Sequence, residues 1–388
     1  MKIDRVRAFQ LTGPADLPQI EERTSRPLDV YPQVARQEGG PRPPGAPLTQ
    51  TYIEIGTDEG ATGLFGPLFE ETAVIILRKL KPYLLGLDPL AGELVWDVLY
   101  RQDRHARTGY EMMAISAVDC ALWDLRGTVA GQPIYRLLGG PTRDRVDCYA
   151  SMLGHSHEPD RVRERATWAV EQGYTAQKWF FRYGPVDGLA GLRKNVELVR
   201  TVREAVGPDV EILLDCGRGW TATYAIRLLE RIDEFQPRWL EEPVQPDRLV
   251  DYVQIRRSTN IPIAHGEHEY TRWGFLQLLQ ADCVDVVQAD PDWCGGISEL
   301  VKICTLASAF GRPVIPHGHS INAAVHVIAA LSPETCPMAE FLIKSQPMKQ
   351  WFHKRIVEPE NGAIPLPTAP GLGIEIDEAK VERRTELG

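Results

Sequence analysis

Three acidic residues recur at an even interval in the sequence, since Asp215, Glu241 and Glu267 are each 26 positions apart. Each closes a short apolar run, and a strand, a helix and two turns together take about that many residues. The interval predicts carboxylates at the carboxyl ends of three adjacent parallel strands, although single loop acids usually only cap helices. Like charges at one rim repel unless a cation joins them, and hard oxygen ligands favour Mg²⁺ or Mn²⁺. We therefore expect a metal site with one Mg²⁺ per subunit.

An acid–base pair is predicted beside this metal site. Asp290 and His317 end later strand-like runs, 27 positions apart, and should be neighbours around the rim. A carboxylate bonded to one imidazole nitrogen raises the basicity of the other, which favours catalysis over a structural histidine bonded to backbone. Glu340 ends the last run and, protonated or sharing a proton, could hydrogen-bond a substrate carboxylate. A purely structural acid at this position would need a basic neighbour.

Lys178 and two histidines are further candidates. We expect Lys178, on the second strand-like run, to stay charged and face an anionic substrate, because a catalytic base would need a pKa depressed by burial. His155 and His157 follow the first run and could form half of a zinc site in a hydrolase barrel. We favour two loop histidines in solvent, since the three acids satisfy a metal without them.

The other strands appear where the interval predicts them. Eight runs alternate with helical patterns such as the one at 192–207. The runs cover residues 146–150, 175–181, 211–215, 238–241, 261–267, 284–290, 312–318 and 338–342. This order predicts a closed (β/α) barrel between residues 145 and 342.

The residues before the barrel are predicted to form a separate α+β domain. Strand-like runs and one long helical pattern support this, and a Pro-, Gly- and Arg-rich segment at 24–47 is either a lid or a connector. We divide the chain into an α+β domain at 1–130, the catalytic barrel at 131–355, and a segment at 356–388 that packs back on the first domain.

Composition excludes several classes of function. The 388 residues are 43% apolar and 25% charged, as in ordinary globular proteins. A net charge of −10 argues against nucleic acid or an anionic membrane as partner. Seven cysteines without a Cys-x-x-Cys pair indicate reduced thiols, and the sequence opens on no leader-like apolar segment. We expect a cytoplasmic homo-oligomer that acts on a small molecule.

Together these residues resemble the enolase superfamily, and within it the mandelate racemase-like acid sugar dehydratases, closest to the rhamnonate dehydratases. The resemblance depends on Gly184-Pro185-x-Asp187-Gly188, Leu214-Asp215-Cys216, Glu241-Glu242-Pro243, Gly266-Glu267-His268, Asp290 with Trp293-Cys294-Gly295-Gly296, Pro316-His317-Gly318 and Glu340-Phe341-Leu342. It implies an α/β fold, a (β/α)₇β TIM-like barrel with an N-terminal α+β capping domain.

The resemblance also implies roles for individual residues. These are Asp215, Glu241 and Glu267 as Mg²⁺ ligands, His317 as general base, Asp290 as its orienting partner, Glu340 for the substrate carboxylate, and Arg36, Lys178 and His268 for further substrate contacts. Where racemases carry Lys-x-Lys, this sequence has Lys178-Trp179-Phe180, which removes the second base that racemisation needs. A His-containing stretch that the rhamnonate enzymes carry in the capping loop has no counterpart that we can place.

The sequence thus predicts a Mg²⁺-dependent dehydratase of a sugar acid, L-rhamnonate or a related aldonate. Loss of the C2 proton and the 3-hydroxyl would give a 2-keto-3-deoxy sugar acid. A racemase, an epimerase or a cycloisomerase of the same superfamily is the alternative. A zinc amidohydrolase using His155 and His157, or a sugar-acid-binding barrel without catalysis, also remains open.

Overall fold

The computed structural model describes residues 1–35, 43 and 45–388. Its strands are β1 Ile3–Gly13, β2 Leu48–Thr57, β3 Thr62–Leu68, β4 Arg145–Ser151, β5 Ala176–Phe180, β6 Glu211–Asp215, β7 Trp239–Glu241, β8 Ile263–His265, β9 Val286–Val287, β10 Ala339–Leu342, β11 Ala363–Pro365 and β12 Arg383–Leu387.

The helices are α1 Pro32–Ala35, α2 Glu70–Ile75, α3 Lys81–Leu84, α4 Gly92–Arg101, α5 Gly109–Ala130, α6 Ile134–Leu137, α7 Pro159–Glu171, α8 Gly188–Val206, α9 Ala222–Ile232, α10 Leu249–Arg257, α11 Thr271–Gln280, α12 Gly296–Ala309, α13 Ile321–Ala330 and α14 Gln346–Lys349. Strands and helices alternate regularly from β4 to α12. Within the described ranges, none of the helices combines the length and the apolar character that crossing a bilayer requires.

The N-terminal domain is built on an antiparallel sheet in the order β12-β1-β2-β3. Its long helix α5 is buried along most of its length because it lies between this sheet and barrel helix α12. Ser116 Oγ accepts a hydrogen bond from Gly295 N at 2.8 Å, and Asp119 Oδ2 accepts one from Ser298 N at 2.9 Å. These contacts fix the sheet relative to the start of α12. The strand β12 pairs with β1, with Ala8 opposite Leu387.

The second sheet is parallel, curled, and ordered β10-β4-β5-β6-β7-β8-β9, which confirms the predicted fold class. Several predicted strands are shorter than expected, and two of them are shortened most. The run at 284–290 forms only the two-residue β9, and the run at 312–318 contributes a single bridge from Val314 to Val287. Pro313 and Pro316 flank this position and lack the N–H that a longer ladder would need.

A layer of buried side chains closes the interior of the barrel. One residue comes from each of the eight strand positions: Tyr149, Ala176, Leu213, Trp239, Ala264, Val286, Ile315 and Met338. Such a layer makes the barrel a packed core and leaves function to the rim at the carboxyl ends of the strands. The indole Nε1 of Trp239 donates to Glu241 Oε2 at 3.0 Å, so this layer also orients a rim carboxylate.

Candidate active site

The three predicted metal ligands lie at the carboxyl-terminal rim of the barrel. Asp215 ends β6 and Glu241 ends β7, and the two residues are partners across these paired strands. Glu267 follows β8 after Gly266, whose φ of 132° is one that glycine adopts most readily. The three carboxylates therefore come from adjacent strands, as the 26-residue interval predicts.

The ammonium of Lys178 lies among these carboxylates. Its Nζ is 2.5 Å from Glu241 Oε1, 2.8 Å from Glu340 Oε1 and 3.5 Å from Asp215 Oδ2, and the side chain is 1% exposed. Burial opposes the charge, but Glu241 and Glu340 raise the pKa of Lys178 well above its usual value. The carboxylates around it therefore favour the charged form of Lys178. Its contact with a substrate stays a prediction.

The three carboxylates of Asp215, Glu241 and Glu267, called the acidic ring below, have the chemistry of a divalent cation site. Burial raises the pKa of Glu241 well above its usual value, and Asp215 adds to this while Lys178 opposes it. Burial likewise raises the pKa of Glu267. A bound cation stabilises buried carboxylates whose ionisation is opposed in this way. Asp215, Glu241 and Glu267 fit Mg²⁺ because each can supply a hard oxygen ligand.

A second acidic grouping lies beside the first. Glu242 is hydrogen-bonded to His265 Nδ1 at 2.9 Å and to His268 Nδ1 at 3.1 Å. Burial would raise the pKa of Glu242, but the bonds from these two histidines lower it well below its usual value. Within the described ranges, Glu242, Glu267 and His268 bring ligand atoms within 4.8 Å of one another, whereas the predicted trio does not. His268 thus lies between two carboxylates, and its contact with a substrate stays a prediction.

The predicted acid–base pair is in place. His317 Nδ1 is 2.6 Å from Asp290 Oδ2, and His317 Nε2 is 3.4 Å from Glu267 Oε2. Burial alone would lower the pKa of His317, but the charge of Glu267 and the bond to Asp290 raise it to about 10. The ring also lies 5.0 Å from that of Trp293, centroid to centroid. The imidazole is therefore oriented by one carboxylate and points its other nitrogen at the acidic ring.

Glu340 lies on β10, at the same rim as His317. Its Oε2 accepts a hydrogen bond from Gly318 N at 2.9 Å, next to His317. Burial would raise the pKa of Glu340, but Lys178 and then His317 lower it to about 2. Lys178 is the basic neighbour that the sequence could not reveal, and the contact of Glu340 with a substrate carboxylate stays a prediction. Glu340 is an anion at neutral pH.

We had expected His155 and His157 to be loop histidines in solvent, but His155 is buried and His157 is partly buried. His155 is 5% exposed, and neither of its ring nitrogens has a hydrogen-bond partner among the described residues. Burial lowers the pKa of His155 to about 4 and also lowers that of His157. Part of the N-terminal domain covers this loop, because Glu21 N donates to Gly154 O at 2.8 Å. In the described part of the chain neither histidine joins a group of three potential metal ligands.

The Pro- and Gly-rich segment at 24–47 is described in part, and Arg36, predicted to contact the substrate, lies outside the described residues. The start of the segment is in contact with the barrel rim. Ser25 N donates to Phe181 O at 2.7 Å, directly after β5. A Cβ added to Gly217 would lie 2.2 Å from Ser25 O, so the segment also passes close to the loop after Asp215. These contacts bring the start of the segment next to the acidic ring.

Two side chains at the rim were not predicted. His319 Nδ1 is 2.6 Å from Asp292 Oδ2, which makes a second histidine–carboxylate pair. Asp292 and His319 are 27 residues apart, as are Asp290 and His317. This repeated spacing is the signal by which the sequence could have revealed the second pair.

The raised pKa of His317 gives a testable pH dependence. A group whose folded pKa lies above its unfolded value stabilises the fold below the unfolded pKa and loses this contribution as pH rises through the folded pKa. With 6.5 as the usual value and about 10 in the fold, the loss falls between these two pH values. We expect the urea-unfolding free energy in a chelator to fall over this range in the wild type, relative to the His317→Asn variant. Parallel pH profiles for the two proteins would contradict the assignment.

Comparison with known proteins agrees with this geometry. Residues 161–380 match the family described as "Enolase C-terminal domain-like", and residues 48–139 match the "Mandelate racemase / muconate lactonizing enzyme, N-terminal domain". The chain belongs to the enolase superfamily. The resemblance inferred from the sequence motifs is confirmed, and the chain is an enzyme of this superfamily. The zinc amidohydrolase and the non-catalytic barrel therefore lose their support.

Individual relatives in the enolase superfamily carry two kinds of activity. The chain is 34% identical to an L-rhamnonate dehydratase from Saccharopolyspora erythraea, with 97% of each chain covered. It is 36% identical to a D-galactarolactone cycloisomerase from Agrobacterium fabrum, covering 84% of this chain and 88% of the relative. Among solved structures, a rhamnonate dehydratase from Gibberella zeae complexed with Mg is 29% identical, with a TM-score of 0.86 and coverage of 98% of this chain and 95% of that one.

Proposed function

We propose that the chain is a Mg²⁺-dependent dehydratase of an open-chain sugar acid, L-rhamnonate or a related aldonate, and that its product is a 2-keto-3-deoxy sugar acid. The observation that supports this most directly is the His317–Asp290 pair, held 2.6 Å apart with its free nitrogen facing the acidic ring. The rhamnonate dehydratase relatives add weight to the dehydratase assignment.

Asp215, Glu241 and Glu267 would hold the cation, as argued from their donor atoms. When bound, a divalent cation supplies Lewis-acid stabilisation of the negative charge that develops on a substrate carboxylate once the C2 proton is lost. The neighbouring Lys178 cation, 2.8 Å from Glu340, adds fixed positive charge on the same rim. Because Glu340 is ionised, its contact with a substrate carboxylate would run through this shared cation and not through a proton of its own.

His317 is the residue assigned to remove the C2 proton. A general base must be neutral when it acts, and the charge of Glu267 is the main contribution that holds the imidazole protonated. With its charge offset by a cation that it holds, Glu267 would raise the pKa of His317 less, so this pKa would fall toward the range of an effective base. Asp290 keeps Nδ1 occupied, so the proton transfer takes place at Nε2. The same imidazolium can then return the proton to the departing 3-hydroxyl.

A racemase receives less support, because racemisation needs a second base on the opposite face of the substrate. Lys178, the cation that β5 places at the rim, is paired with carboxylates, and its pKa is raised well above its usual value. Phe180, two residues further on β5, has no proton to exchange. A dehydratase needs one base on one face, which this rim can supply.

A cycloisomerase is the second candidate, since a D-galactarolactone cycloisomerase is among the relatives. It would use the same C2 proton abstraction but expel a ring oxygen, so its product would be an isomer of the substrate. A dehydratase product is lighter than its substrate by one water. The mass of the product therefore separates the two candidates, whatever sugar acid is turned over.

The test is a screen of aldonic acids and their lactones for 2-keto acid formation in D₂O with Mg²⁺. We expect an open-chain aldonate to give a product that has lost one water and carries deuterium at C3, because ketonisation takes a solvent proton there. We expect no accumulation of the C2 epimer. Products isomeric with a lactone substrate would favour the cycloisomerase, and C2 exchange with no acid in the screen would overturn both candidates.

A further inference from the structure

A second histidine–carboxylate pair lies on the same two loops as the first. Asp290 and Asp292 follow β9, and His317 and His319 follow the Val314 bridge. Each histidine places Nδ1 2.6 Å from an Oδ2 atom of its aspartate. The first pair is explained by proton abstraction, whereas the proposed reaction has no use for a second pair of the same construction.

The second pair lies between the reacting centre and the capping domain. Trp293 packs against both imidazoles, with ring centroids 5.0 Å from His317 and 4.9 Å from His319. The two imidazole centroids are 6.4 Å apart. On its other side His319 approaches the ring of Phe69, which precedes α2 of the capping domain, at 5.9 Å. A substrate chain extending from His317 toward the capping domain would therefore pass His319.

The two imidazoles differ in charge. Burial and then the nearby ammonium of Lys349 lower the pKa of His319, whereas that of His317 is raised. A neutral His319 that donates its Nδ1 proton to Asp292 carries a lone pair on Nε2. That nitrogen has no hydrogen-bond partner in the described part of the chain, and the side chain is 18% exposed. His319 therefore presents an unused acceptor at the rim.

We propose that His319, oriented by Asp292, is a substrate-binding residue that accepts a hydrogen bond from a hydroxyl beyond C3 of the sugar acid. This inference rests on the proposed dehydratase function and deepens it. An acceptor selects an open-chain polyhydroxy acid over a lactone or anhydro acid in which that oxygen is closed into a ring and has no proton to donate. Specificity for the open chain would thus be built into the rim next to the general base.

The test uses two amide variants that resemble different halves of the imidazole. In His319→Asn the amide nitrogen can still donate to Asp292, but nothing occupies the place of Nε2. In His319→Gln the longer side chain can present its amide oxygen near that place. We expect kcat/KM of the preferred aldonate to fall about 10-fold to 100-fold in His319→Asn, mainly through KM, and to recover in part in His319→Gln.

The substrate probe is a series of aldonates of four to six carbons, each lacking one hydroxyl beyond C3. For the wild type, one deoxy compound should lower kcat/KM by as much as the His319→Asn substitution lowers it for the parent aldonate. The His319→Asn variant should show the same kcat/KM with the parent aldonate and with this deoxy compound. C2 exchange in D₂O should persist in the variant with this deoxy compound. An equal loss with every compound would indicate a structural role only and overturn the inference.

Two further outcomes separate this inference from the function on which it rests. If the wild type exchanges the C2 proton of no aldonate, the proposed function fails. If it does so and His319→Asn has unchanged kcat/KM across the series, the function stands and the inference fails. Nitrogen-15 NMR of the imidazole gives a readout without turnover: we expect a neutral ring protonated on Nδ1 at neutral pH, and a doubly protonated ring would exclude the acceptor role.

Discussion

The His317→Asn variant is expected to lose both C2 proton exchange and dehydration, with kcat lowered by about 10⁴-fold, the upper end of what one general acid–base group contributes. The reason is that one imidazole is assigned to take the C2 proton and to return it to the leaving hydroxyl. Asparagine can still reach Asp290 through its amide but cannot accept a proton near neutral pH. The measurement is deuterium incorporation at C2 together with 2-keto acid formation.

The matched control for this variant is Asp290→Asn, which keeps the imidazole but removes the charge that orients it 2.6 Å away. We expect a smaller loss in Asp290→Asn than in His317→Asn, because the base is present but its tautomer and basicity are disturbed. Calorimetric Mg²⁺ binding should persist in both. Exchange that survives in His317→Asn, or steady formation of the C2 epimer by the wild type, would reveal a second base.

Glu241→Gln is expected to abolish Mg²⁺ binding and with it activity, whereas the neighbouring Glu242→Gln is expected to keep Mg²⁺ binding within about 10-fold. The two acidic groupings at the rim share Glu267 and compete as candidates for the cation site. Both glutamates accept hydrogen bonds, Glu241 from Lys178 and Trp239 and Glu242 from two histidines. The pKa of Glu242, however, is lowered well below its usual value. Glu241 instead has a raised pKa, so a cation gains more by joining it.

The two glutamate variants are well matched because they change the same residue type at adjacent positions. Isothermal titration with Mg²⁺ alone measures the site without any substrate, and 2-keto acid formation measures its use. Urea unfolding in a chelator shows whether either variant has lost its fold. If Glu242→Gln loses Mg²⁺ and Glu241→Gln keeps it, the cation belongs to the Glu242, Glu267 and His268 grouping instead.

The residues at the barrel rim could be predicted from the sequence because the chain returns to the rim once in every strand–helix unit. The even interval therefore located Asp215 and Glu241 on paired strands, and the same logic brought His317 to Asp290. Sequence spacing reports which strand end a residue occupies. It does not predict which charged side chains contact one another at the rim.

The charge of Lys178 illustrates what spacing cannot supply. Its ammonium pairs with Glu340 across the intervening strand β4, so the charge of that carboxyl depends on a contact between β5 and β10 that no local pattern encodes. The burial of His155 has a similar origin, since a segment far away in sequence covers its loop. The length of β9 was overestimated because the apolar residues of the sequence extend beyond the two residues that pair.

The pairing of β12 with β1 means that the cap over the active site is assembled from opposite ends of the described chain. During synthesis β1 leaves the ribosome before the barrel strands, yet one of its edges stays unpaired until β12 has followed. The barrel strands emerge in between and can pair with one another while that edge is still open. An open edge of this kind invites pairing with another chain. The N-terminal sheet therefore reaches its full pairing only after the barrel strands have been made, and until β12 arrives its open edge is exposed to misassembly.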